Sequence, residues 1–134
     1  EGLSRKTNDI GYTYIEIDLT AQRMVFYKNG TPIADAPVVS GNPYVPNCAT
    51  PTGCYTVGET KSSYTVNGED YPSAVNYWIP FDGNLGINDA PWRGSFGEQL
   101  YEFEGTHGSI CAPTDQVQII YSNVEKNTPV VIYE

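Results

Sequence analysis

The chain of 134 residues is poor in positive charge and has no long apolar segment. It holds 7 Lys and Arg against 16 Asp and Glu, which gives a net charge of −9. Binding to nucleic acid or to an anionic membrane surface needs clustered cations, and none occur here. No apolar run approaches the ~20 residues that span a bilayer. The composition therefore predicts neither nucleic acid nor a membrane as a partner of this chain.

Histidine and cysteine are also scarce, which limits metal chemistry. One His excludes a multi-His metal site, and the three Cys lack the close pairing of a zinc site. No glycine-rich phosphate loop precedes a helix. The sequence therefore predicts no metal site and no cofactor.

Two of the cysteines flank a turn-forming segment, Ala-Thr-Pro-Thr-Gly. Cys48 and Cys54 either remain as two small buried thiols or, in an extracellular setting, form a disulfide. We favour the disulfide. Cys111 is then left over.

Residues typical of strands and turns are abundant instead. The chain has 11 Tyr, 13 Gly and 10 Pro, while charged residues make up only 17%. This profile favours strands and turns over long helices. The first predicted strand alternates, with Ile15 and Ile17 on a buried face and Glu16 on an exposed face. The strand patterns fall at 14–19, 24–28, 33–40, 53–60, 64–66, 77–81 and 129–133.

Local signals add two turns and one helix. Asn29-Gly30 predicts a hairpin because both residues tolerate positive φ, and Asn67-Gly68 predicts a second tight turn. An apolar stripe at helical spacing predicts a helix that begins at Thr114 as its cap and ends near Asn127 and Pro129. The stripe consists of Val117, Ile120, Tyr121 and Val124.

These elements predict one mostly β domain, sandwich- or barrel-like, with a single α-helix in its C-terminal region. The domain spans 12–134. Residues 1–11 are interpreted as a linker or an artificial boundary, with further sequence expected upstream.

One segment concentrates reactive side chains. Residues 105–111, Gly-Thr-His-Gly-Ser-Ile-Cys, combine an imidazole, two hydroxyls, a thiol and two glycines. Glycine lets the backbone approach a ligand and leaves amides that can stabilise an oxyanion. A His beside Ser or Cys can also act as a base–nucleophile pair. From these residues alone, a structural role for the His is the commoner outcome.

The surrounding sequence, NDAPWRGSFGEQLYEFEGTHGSIC over residues 88–111, resembles the active-site segment of L,D-transpeptidases. The resemblance runs from Tyr12 to Tyr133 and includes the opening hairpin, the 49–53 turn and the terminal helix and strand. It implies the fold of that family. It also implies the family reaction, in which a thiolate attacks a peptidoglycan tetrapeptide stem, releases its terminal D-Ala and transfers the acyl group to an amine of a neighbouring stem.

The resemblance also assigns positions within the reactive segment. Ser109 stands where the family has its nucleophilic Cys, and Asn88 stands where it has its base His. Thr106 replaces a Ser that helps to hold the base, and His107 matches the second His of the family. Gly108 and the amides around Ser109 belong to the oxyanion region.

Two further residues, Trp92 and Arg93, match the family pattern just after the base position. They are expected to be structural or to position substrate, and for Trp92 packing under the loop is an equally good alternative. The implied partners are peptidoglycan stem peptides, with a carbapenem as a covalent probe. The implied location is extracytoplasmic, at a bacterial cell wall, for a protein that is secreted or anchored through an upstream segment.

The replacements predict impaired or absent transpeptidation. A thiol with a pKa of about 8.5 is partly ionised near neutrality, whereas a hydroxyl depends on a strong base. Asn88 cannot accept a proton, and loss of a general base removes on the order of 10²–10⁴-fold in rate.

Several explanations remain open. Ser109 is an engineered replacement that traps substrate, or the chain has diverged into a non-catalytic stem-binding module. In a third explanation the chemistry has moved, with Cys111 as nucleophile and His107 as base. A scaffold with an empty groove is a further possibility. We favour divergence, because it accounts for Asn88, Ser109 and Cys111 together.

Overall fold

The computed structural model describes residues 12–66, 73–97, 100–101, 106 and 108–134. It shows two β-sheets and, among the described residues, one α-helix. The strands are β1 Tyr14–Asp18, β2 Arg23–Lys28, β3 Thr31–Pro37, β4 Gly53–Thr56, β5 Lys61–Val66, β6 Ser73–Asp82, β7 Leu85–Asp89, β8 Ile110–Ala112 and β9 Pro129–Tyr133. The helix, α1, is Thr114–Asn123. The predicted mostly β class with one C-terminal-region helix is confirmed.

The larger sheet has the strand order β3-β2-β1-β9-β4. β1 pairs antiparallel with β2 and parallel with β9. The turn between β2 and β3 has φ values of 54° at Asn29 and 82° at Gly30, so the predicted hairpin is confirmed. Ile15, Ile17 and Phe26 are fully buried and face the core.

The opposite face of β1 differs from the expectation. Glu16 was expected to be exposed but is buried, and its Oε2 accepts a hydrogen bond from the Tyr133 hydroxyl. Its neighbours across the sheet are Val25 on β2 and Val131 on β9. The alternating pattern thus identifies the core face correctly, but β1 is an interior strand whose outer face is covered by side chains of adjacent strands.

The smaller sheet has the order β5-β6-β7-β8, with β7 and β8 parallel. Strand β8 lies outside the segments that the sequence patterns predict, because three residues are too few to show alternation. One apolar cluster receives side chains from both sheets and from the helix, including Phe26, Ile87 and Ile120. The two sheets therefore share a single core.

The helix buries Val117 and Ile120, as its apolar stripe predicts. Its N-terminus differs from the prediction: Pro113 is the N-cap residue, and no side chain caps the helix. The hydroxyl of Thr114 donates instead to Asp89 Oδ2 at 3.1 Å. The helix also ends earlier, at Asn123, where Val124 takes an extended conformation.

The predicted disulfide is not formed. Cys48 and Cys54 are both free thiols; Cys48 is buried, whereas Cys54 is exposed on β4. The turn between them therefore does not bring the two sulfurs together, which corrects the preference for a bridge. The Asn67-Gly68 turn and the 1–11 segment lie outside the described residues. No described helix is long and apolar enough to cross a membrane.

Candidate active site

Strands β7 and β8 bring the two replaced positions to one region of the smaller sheet. In their parallel register Ile87 lies opposite Ile110, and Asn88 lies opposite Cys111. Because side chains alternate along a strand, Asn88 and Cys111 share one face, while Ile87 and Ile110 belong to the core. Ser109 immediately precedes β8.

The Ser109 hydroxyl contacts the backbone of β7. Ser109 is 4% exposed, and its Oγ accepts a hydrogen bond from the backbone N–H of Gly86 at 3.2 Å. Its carbonyl oxygen accepts from the Thr106 hydroxyl. Among the residues that the structure describes, the group that contacts Ser109 Oγ is therefore a hydrogen-bond donor, which cannot remove a proton from it.

The amide of Asn88 is also held by its surroundings. Asn88 is 3% exposed, and its Nδ2 donates to the carbonyl of Asp89 at 2.8 Å. The same nitrogen lies 3.6 Å from Cys111 Sγ, within the range of a hydrogen bond to sulfur. The Asn88 side chain is thus turned towards Cys111.

Cys111 itself is a packed thiol. It is buried in a small apolar cluster with Val39 and Ala90, against which Phe96 and Leu100 pack. Its backbone N–H and C=O both pair with Val39 at 2.9 Å. Thiols in such apolar surroundings are normally unreactive, because burial disfavours the thiolate.

Thr106 and Gly108 shape the turn that leads to Ser109. The Thr106 oxygen accepts from the Gly108 N–H at 3.0 Å while its hydroxyl donates to Ser109. Gly108 has φ +126°, and a Cβ there would lie 2.8 Å from a methyl carbon of Leu85. The positive φ favours glycine at this position, and any larger residue would also have to displace the Leu85 side chain. His107 lies outside the described residues.

The two predicted substrate-positioning residues follow β7. The backbone N–H of Arg93 donates to the Ala90 carbonyl at 3.0 Å, which closes a turn. Trp92 is 51% exposed, so the alternative in which it packs under the loop is wrong. Its indole lies on the protein surface just after the strand that carries Asn88.

Sequence reasoning assigned no role to Asp89, which is fully buried. Its Oδ1 accepts from the backbone N–H groups of Asn76 and Tyr77, both at 2.9 Å. Its Oδ2 accepts from Asn76 Nδ2 at 2.8 Å and from Thr114. Asp89 therefore fixes β7 against β6 and the start of α1. A carboxylate at the end of a strand that begins Leu-Gly-Ile is the signal that could have pointed to such a network.

The architecture and the β7–β8 site define an L,D-transpeptidase-type domain. The model of the L,D-transpeptidase catalytic domain family (YkuD) matches residues 12–132. The chain belongs to this family.

Solved structures agree with this assignment. A cysteine-to-serine mutant of Enterococcus faecium L,D-transpeptidase is 38% identical, with a TM-score of 0.83 over 92% of this chain and 50% of that chain. The catalytic domain of E. faecium L,D-transpeptidase acylated by ertapenem is 37% identical, with a TM-score of 0.80 over 91% of this chain and 97% of that chain.

L,D-transpeptidase 3 from Mycobacterium tuberculosis, with a faropenem-derived adduct, shares the fold at 20% identity and a TM-score of 0.75, over 91% of this chain and 60% of that chain. The chain spans about half the length of the longer E. faecium mutant enzyme that it matches. No curated protein matches the sequence.

Proposed function

We propose that this domain binds peptidoglycan tetrapeptide stems and that it transfers their acyl group to an acceptor amine poorly or not at all. Membership of the L,D-transpeptidase family supports the ligand class. The contacts of Asn88 and Ser109 support the loss of chemistry. The observation that carries the proposal concerns Asn88, at the position where we infer that the family has its base. Its amide nitrogen donates to the Asp89 carbonyl and contacts Cys111 Sγ.

The chemical argument is one of proton transfer. Acyl transfer through Ser109 would require a base to take the hydroxyl proton as the oxygen attacks. A carboxamide has no basic nitrogen at neutral pH, and the group bonded to Ser109 Oγ is the N–H of Gly86. The contribution of a general base at position 88, on the order of 10²–10⁴-fold, is therefore absent.

Binding does not require those groups. An exposed aromatic ring such as Trp92 provides a large contact surface, and an arginine such as Arg93 can pair with a carboxylate of a stem. The glycine at position 108 allows the positive φ of the turn whose backbone N–H groups we expect to receive a ligand carbonyl. We place the domain outside the cytoplasm, because its proposed ligand is part of the cell wall.

The test combines calorimetric titration with a synthetic tetrapeptide stem and chromatography for released D-Ala. We expect binding that weakens about tenfold in Trp92→Ala, in line with the loss of a central aromatic contact, and no D-Ala above the buffer control. Tyr12→Ala serves as the matched control, because Tyr12 is also an exposed aromatic residue but lies beside the β2–β3 turn, where its carbonyl accepts from the Gly30 N–H. D-Ala release by the unaltered protein at an ordinary enzymatic rate would contradict the proposal.

A second candidate function is acyl transfer through Cys111, because the Asn88 Nδ2 at 3.6 Å donates towards its sulfur and such a donor would favour a nucleophilic sulfur there. Its burial with Val39 and Ala90 opposes this role. Incubation with a carbapenem followed by mass spectrometry separates the two. An adduct mapped to Cys111 would favour the second candidate, and unmodified protein that still binds stems would favour the first.

A further inference from the structure

The segment that ends at Ser109 is held from outside the smaller sheet by a buried threonine. The hydroxyl of Thr50 donates to the Gly108 carbonyl at 2.7 Å, and the same oxygen accepts from the Gly41 N–H at 2.8 Å. Thr50 is buried. One hydroxyl group thus connects the loop after β3 to the turn before β8.

Other contacts between the same two segments support this connection. Thr106 N–H donates to the Ser40 carbonyl at 3.0 Å, and Asn42 N–H donates to the Thr106 carbonyl at 3.2 Å. A Cβ on Gly41 would lie 2.9 Å from Gly108 Cα, so the two backbones touch. Thr50 therefore acts within a close backbone contact that leaves little room for either segment to move.

The sequence around Thr50 restricts the conformation of this residue and hence the position of its hydroxyl. Thr50 precedes Pro51, and a residue before proline is restricted to extended conformations. Threonine is also branched at Cβ, which limits its χ1 rotamers. The hydroxyl is thus held in place with little remaining conformational freedom.

We propose that Thr50 is a positioning residue, which orients the Gly108–Ser109 peptide group for ligand binding through its bond to the Gly108 carbonyl. A peptide group is planar, so fixing the direction of that carbonyl also fixes the direction of the Ser109 N–H on the opposite side. This N–H belongs to the backbone that the proposed function uses to receive a stem carbonyl. The bond therefore sets the orientation of a binding group that Thr50 does not itself touch.

The experiment compares Thr50→Val, which keeps the shape and removes the hydroxyl, with Thr50→Ser, which keeps the hydroxyl. Thr56→Val is the matched control, because Thr56 is exposed on β4. We measure the Ser109 amide resonance and the hydrogen exchange of the Gly41 amide by NMR, without ligand. Thr50→Val should shift the first and accelerate the second at least tenfold, while Thr50→Ser and Thr56→Val stay close to the unaltered protein.

The affinity for a tetrapeptide stem is the second measurement, and only this one rests on the proposed function. At a temperature where all variants are folded, Thr50→Val should bind about tenfold more weakly and Thr50→Ser within about twofold of the unaltered protein. A lower melting temperature for Thr50→Val with unchanged affinity would overturn the positioning role. If no variant binds stems, the proposed function fails, and the NMR comparison alone then decides: an unshifted Ser109 resonance in Thr50→Val would overturn the role of Thr50.

Discussion

Asn88 and Ser109 each form a hydrogen bond with the backbone of β7: the amide of Asn88 donates to Asp89, and the hydroxyl of Ser109 accepts from Gly86. Buried polar groups are costly when they lack partners, so these bonds make both replacements compatible with a stable strand. The pair is therefore integrated into the fold.

Restoring the family residues at positions 88 and 109 tests the roles proposed for these two side chains. Asn88→His together with Ser109→Cys should raise the rate of carbapenem acylation on the order of 10²–10⁴-fold over Ser109→Cys alone, because an imidazole can serve as the missing base. Stopped-flow absorbance of the carbapenem measures this rate. Equal rates for the two variants would show that position 88 is not where the base acts in this chain.

Cys111 provides a second sulfur that could react in that experiment. Because Asn88 Nδ2 lies 3.6 Å from Cys111 Sγ, an imidazole at position 88 would meet two sulfurs. Peptide mapping of the adduct, with and without Cys111→Ala, identifies the sulfur that reacts. We expect the adduct at position 109.

The resemblance predicts the residues of the candidate site but not the orientation of their groups. The resemblance placed Asn88, Thr106, Gly108 and Ser109 in one site, and the structure brings their strands and turn together. The contact of Asn88 with Cys111 depends on the register of two strands that are distant in the chain, and no local pattern encodes it. The role of Thr50 was missed for the same reason, since its partner Gly108 belongs to another segment.

At the scale of elements, the carboxylate of Asp89 joins three of them. It accepts hydrogen bonds from β6 and from the first residue of α1 while lying at the end of β7. Asn88 precedes Asp89 in β7, so the hydrogen bonds that hold Asp89 also limit the movement of Asn88. The buried carboxylate of Asp89 thus stabilises the strand that carries Asn88.

Replacement of Asp89 by Asn should destabilise the domain by about 1–3 kcal/mol, because an amide NH₂ would face the donors that now reach Oδ2. Urea denaturation measures this change. Asp82→Asn is the control, since Asp82 is exposed at the end of β6, and it should stay within about 0.5 kcal/mol. A loss for Asp89→Asn no larger than that of the control would argue against the network.

Elements with strong local signals were predictable, whereas short or context-dependent ones were not. The hairpin at Asn29-Gly30 and the buried stripe of α1 follow from turn chemistry and from periodicity. Strand β8 is three residues long and acquires its structure from β7 and Val39. The hydroxyl of Thr114 donates to the Asp89 carboxylate and does not cap its own helix. This contact joins segments that are distant in the chain, so local sequence does not predict it.

At the scale of the whole molecule, the apolar cluster shared by both sheets predicts cooperative unfolding. Phe26 of the larger sheet is fully buried in this cluster with Ile79 of the smaller sheet. Phe26→Ala should cost about 3–5 kcal/mol, since it removes a large side chain and leaves a cavity. Circular dichroism and tryptophan fluorescence, followed together in urea, should report one coincident transition. Separate transitions for the two probes would mean that the sheets unfold independently.

The position of β9 has a consequence for biogenesis. This strand comes after the other described strands in sequence, yet among them it lies between β1 and β4 and joins the two. During synthesis from the N-terminus, β4 lacks the strand with which it pairs in the described sheet until residues 129–133 emerge. The larger sheet is therefore completed only when the end of the domain is delivered, and a chain cut before that point is expected to remain a substrate for proteases.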